Sequence, residues 1–63
     1  MTVETYVYKM IQNDVMDDAI RNGIVSDVVA EYGDIEINAI ADLTALDDAI
    51  EIAGTRRGYA WVA

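Results

Sequence analysis

The chain contains neither cysteine nor histidine, and at 63 residues that absence constrains it more than any motif it carries. A domain this small buries only about 60% of the surface its unfolded chain exposes, and usually adds disulfides or a structural metal. Without Cys no disulfide forms, and a zinc site lacks both of its usual ligands. Stability must come from apolar burial. Apolar residues make up 54% of the chain, against an ordinary ~45–50%, which excludes disorder. The length allows one domain, spanning 1–63. No apolar run approaches the ~18 residues of a membrane span, and no basic start precedes an apolar stretch as in a secretory signal. A cytoplasmic protein without a membrane partner is expected.

The local patterns predict an α+β fold. From Thr2 to Gln12 the β-branched and aromatic content predicts a strand. Val3, Thr5, Val7, Lys9 and Ile11 would share one face, with Glu4, Tyr6, Tyr8 and Met10 on the other. Asp14 to Asn22 switches to helical spacing, capped by Asp14, with Asp17 and Arg21 as an i,i+4 pair. The set Val15, Met16, Ala19, Ile20 points roughly 180° away from Ile24, Val25, Val28, Val29, Tyr32 on one ideal helix. A break at Asn22-Gly23 is therefore predicted, with Ser26 capping a second helix to Tyr32. After a Gly33-Asp34 turn, Ile35 to Asp42 alternates as a strand does. Thr44 to Ala53 reads as a helix, capped by Thr44 with Asp47 in a capping-box position, and ended by Gly54. Arg57 to Val62 reads as a closing strand. The predicted order is β-α-α-β-α-β, a three-stranded sheet under two or three short helices. Val15–Ile20 and Ala45–Ile50 share the motif Asp-Asp-Ala-Ile, which either marks a duplicated strand–helix unit or reflects common residues converging.

The chemistry-bearing residues are few. Acid–base and nucleophilic catalysis usually use His, Cys, or Ser beside a base, and only Ser26 is present, better placed as a cap. Lys9, the one lysine, suits a solvated edge. Acids at Asp14, Asp17 and Asp18 are accounted for by the helix dipole, and the calcium-loop pattern is missing. No Gly-rich phosphate loop occurs. No cofactor, no metal and no enzymatic activity are expected.

Charge is the remaining lead. Twelve acids against four bases leave a net charge of -8, which excludes direct nucleic-acid binding. Three explanations compete. The first is solubility by self-repulsion. The second is adaptation to salt, in line with eight Asp, four Glu and one Lys. The third is a surface that docks on a basic protein groove. The contact acids expected on this last reading are Asp17, Asp18, Asp47, Asp48 and Glu51, flanked by Glu31 and Glu36. With no Phe in the chain, Tyr6, Tyr8, Tyr59 and Trp61 form an alternative apolar interface, because Tyr and Trp are enriched at contacts. That alternative describes a structural or assembly subunit, or a homodimer.

In size, charge, lack of catalytic residues and expected completeness, the chain resembles the small acidic inhibitors that phages encode against host nucleic-acid machinery. These include anti-restriction, anti-CRISPR and polymerase inhibitors. Ile35 to Val62 is also similar to the strand–helix–strand half of a phage RNA-polymerase inhibitor, through the amphipathic stretch Leu43 to Ala53. The resemblance implies a non-enzymatic inhibitor acting in a host cytoplasm on a basic protein surface, by nucleic-acid mimicry. It assigns no functional residue.

Overall fold

Val3, Val7 and Ile11 recur at a spacing of four, which satisfies a strand face and a helix stripe equally well. The computed structural model, which describes residues 1–62, makes them the fully buried stripe of helix α1 (Val3–Ile11). The positions between them, Thr5 and Lys9, are exposed, as a helix requires and a strand face does not. Thr2 caps α1, Glu4 sits in its first turn and Lys9 in its last, both matching the helix dipole.

Helix α2 (Asp18–Tyr32) runs unbroken through Asn22-Gly23, so the predicted break is corrected. The chain turns earlier, at residues 12–14, and Asp17 rather than Asp14 caps the helix by accepting the Ile20 N–H at 3.1 Å. Two opposed apolar faces never arise. Val15 and Met16 precede the helix; Val15 is buried from the loop, while Met16 is 75% exposed and Ala19 is left in water. One face suffices, with Ile24 and Val28 buried. Ser26 lies inside α2, exposed, and caps nothing. Gly23 has a different reason to be glycine: a Cβ there would collide with the Arg57 guanidinium, which reaches over from beyond the third helix.

Helix α3 (Leu43–Arg56) lies where its periodicity places it, with both ends moved outward. Asp42, not Thr44, is the cap, accepting the Ala45 N–H at 3.0 Å. Gly54 does not terminate α3. It is buried within it, because the Trp61 indole packs where a Cβ would stand.

No sheet forms among the described residues, and the predicted α+β class is replaced by an all-helical fold. Ile35 to Asp42 holds one antiparallel bridge, Thr2 to Glu36, and a 3₁₀ turn at Ile37–Ala39. The Val3 N–H donates to the Ile35 carbonyl and the Ile37 N–H to that of Met1, tying this segment across the start of α1. Arg57 to Val62 is an irregular tail with no strand partner. The two Asp-Asp-Ala-Ile motifs are not equivalent, since one spans the entry to α2 and the other lies inside α3.

Central to the packing is α2, which contacts both α1 and α3. Leu46, Ile50 and Ala53 complete the core from α3, with Ile37 and Ile40 packed against its edge. The accessible surface of 4071 Å² matches the roughly 4000 Å² expected of a folded monomer of this mass. Three short helices thus bury what a chain this size can bury.

Candidate functional site

All twelve carboxylates are exposed, yet most are already engaged within the fold. Asp17 caps α2, and Asp18 pairs with Arg21. That arginine also donates to the Val15 carbonyl at 3.1 Å and stands 5.6 Å from the centre of the Tyr8 ring. Glu36 holds the N-terminal ammonium at 3.0 Å, and Asp34 accepts the Glu4 N–H. Asp27, which the sequence reading passed over, accepts two hydrogen bonds from Arg57 at 2.8 and 2.9 Å. The guanidinium hydrogen bond holds the Asp27 carboxyl below its ordinary pKa. The fork-on-fork geometry ties α2 to the end of α3.

Asp47 accepts the Tyr6 O–H at 2.8 Å and so joins α3 to α1. This hydrogen bond, with burial adding to it, raises the tyrosine pKa above its ordinary value. The sign follows directly. A raised pKa in the fold favours the protonated phenol, so the stabilisation is complete below about pH 10 and is lost as pH rises through the folded value. Tyr6→Phe is expected to cost about 0.5–1 kcal/mol at neutral pH, because Asp47 can rehydrate. Its stability should also fall less than that of the parent chain above pH 10, as urea denaturation across that range would record. Parallel alkaline losses in the two proteins would show that Tyr6 is not the group concerned.

Of the acids expected at a contact surface, Glu31, Asp48 and Glu51 have side chains with no hydrogen-bond or ion-pair partner among the described residues. Two belong to the seam of α2 and α3, where Asp27, Glu31 and Asp48 line a groove together with Ile52 and Arg56. Asp48 and Glu51 flank the next depression along α3. Asp17, Asp18 and Glu36 lie outside both grooves and carry the internal contacts just described.

The four aromatic residues of the expected apolar interface do not share one face. Tyr6 is half-buried at the α1–α3 contact. Tyr8 is 43% exposed and lines a separate cleft of about 730 Å³ between α1 and α2, with Val25 and Val29. Tyr59 and Trp61 pack edge to face, their ring centres 4.7 Å apart. The Tyr59 O–H donates to the Asp14 carbonyl at 2.6 Å, and the Trp61 Nε1–H to the Glu51 carbonyl at 2.9 Å. Both polar handles are spent inside the molecule, fastening the tail to α3 and to the loop before α2. Gly54 leaves the room for this seat, since a Cβ there would collide with the indole.

No group of three or more Asp or Glu side chains is arranged to hold a metal ion among the described residues. Ser26 lines the α1–α2 cleft together with Glu4, Lys9, Gln12 and Asn22. No helix is long and apolar enough to cross a membrane among the described residues. No known protein family, curated protein or solved structure matches the chain.

Proposed function

We propose that this chain is a non-enzymatic protein binder that docks its acidic α2–α3 face on a basic protein surface, one that otherwise holds DNA or RNA. The observation that carries the reading is the set of unpaired carboxylates at Glu31, Asp48 and Glu51, solvated and close together on α2 and α3. Caps and ion pairs occupy Asp17, Asp18, Asp27 and Glu36, whereas these three add unpaired charge, which raises association rates toward a basic groove. An inhibitor of the phage type, acting by nucleic-acid mimicry in a host cytoplasm, is the form of binder proposed.

The immobilised chain tests this against a host-cell lysate. A nucleic-acid-binding protein should be captured at low salt and released near ~1 M salt, where the Debye length falls to about 3 Å. Added nucleic acid should compete for it. Glu31→Gln, Asp48→Asn and Glu51→Gln together should abolish capture while leaving the helical spectrum unchanged, since none of the three side chains makes a hydrogen bond or ion pair among the described residues. A partner retained at high salt, or one indifferent to the triple variant, would refute the acidic-face reading and favour an assembly subunit held by apolar contact.

A further inference from the structure

The tail builds a second groove on the other side of α3. Gly58 adopts φ +83, in the region that glycine alone enters freely, and turns the chain back so that Trp61 lies along the helix. Between the end of α1 and α3, Met10, Ile50 and Trp61 then line a cleft of about 440 Å³ whose charged groups are Asp14, Asp47 and Glu51. No lysine or arginine lines it among the described residues. Met10 is 50% exposed and Val62, at the mouth, 92% exposed. A chain with so little core would gain by burying these side chains, yet they stay open beside three carboxylates.

The groove is also held in place. The Trp61 indole is fixed by its N–H bond to α3 and by the Tyr59 ring, and Asp47 is oriented by Tyr6. Walls that are already ordered lose little freedom on binding. Met10 is the adaptable element, since an unbranched thioether repacks around varied side chains.

We propose that this groove receives a basic amphipathic segment of a partner protein. An apolar side chain sits between Met10 and Trp61, and Lys or Arg on either side meets Asp14, Asp47 and Glu51. Charge selects this occupant. A nucleic acid would bring its own negative charge to an all-acidic rim. A second copy would bring another -8 with only four bases to offset it. The proposal rests on reading the chain as a binder of basic proteins, and it names a particular groove and the chemistry of the segment.

The test is amide and indole chemical-shift mapping of the full chain with a synthetic Leu/Lys amphipathic peptide of about four helical turns. A Leu/Glu peptide of the same pattern serves as control. Saturable shifts are expected at Met10, Asp47, Glu51 and the Trp61 indole N–H, with none from the control. Asp14→Asn with Glu51→Gln should weaken binding about tenfold, whereas Glu31→Gln with Asp48→Asn should change it less than twofold. Shifts centred on Glu31 and Asp48, with Asp14→Asn alone indifferent, would overturn the groove and leave the acidic-face reading standing. Failure of the Leu/Lys peptide to bind anywhere would count against both. Equal binding of the Leu/Glu peptide would remove the charge argument and with it the proposal. Shifts at the groove on concentrating the protein alone would assign it to a second copy and overturn the proposal as well.

Discussion

Ile24→Ala should cost the chain a large fraction of its stability. Ile24 is fully buried on α2, the helix that packs against both of the others. Truncating a buried Ile to Ala typically costs about 2–5 kcal/mol, from lost burial and from the cavity left behind. A domain of this length has a total stability of roughly 3–9 kcal/mol. No disulfide makes up the loss, since the chain has no cysteine. In a domain of this size each kcal/mol lowers the melting temperature by about 4–8 °C, so a fall of at least ~10 °C is expected in helical circular dichroism. Met16→Ala, at a large apolar side chain left in water, should change the midpoint by less than ~0.5 kcal/mol in free energy. If the two substitutions had similar effects, α2 would not present the face described.

The second large effect is expected at the tail. Trp61→Ala removes a half-buried indole, its hydrogen bond to the Glu51 carbonyl and its edge-to-face contact with Tyr59. Full truncation of a core Trp costs about 3–5 kcal/mol, and partial burial brings the expectation to about 2 kcal/mol. Gly54→Ala probes the same contact from the helix side. Substituting Ala for Gly inside an exposed helix ordinarily stabilises by about 1 kcal/mol. Here the methyl would displace the indole, so the net change should be destabilising, with Trp emission shifting toward that of a solvated ring. Emission is a clean probe because Trp61 is the one tryptophan. A stabilised Gly54→Ala with unaltered emission would show that the indole does not sit on α3.

The acidic surface illustrates how far composition reaches. A charge of -8 announces an acidic exterior, and all twelve acids are indeed exposed. It does not announce which of them are occupied. Asp17, Asp18, Asp47 and Glu36 meet partners from 3 to 41 residues away in sequence. Only the near ones leave a local trace, as the cap at Asp17 does. The Tyr6–Asp47 and Asp27–Arg57 contacts appear only once the helices are packed, and so does the groove lined by Met10 and Trp61.

By itself, the sequence determined that the chain must rely on an apolar core, that its surface is acidic, and that a helix occupies the stretch ending near Ala53. These follow from residue types and from a periodicity with one interpretation. Tertiary structure decided the rest. The stripe Val3, Val7, Ile11 fits both periods, and its β-branched residues favour a strand locally, but docking on α2 buries a helical stripe whole. Gly23 and Gly54 look like breaks, because close approach by Arg57 or Trp61 is invisible along the chain. Where local preferences are this balanced, long-range burial chooses between them, since a small unstapled domain has little else to stabilise it.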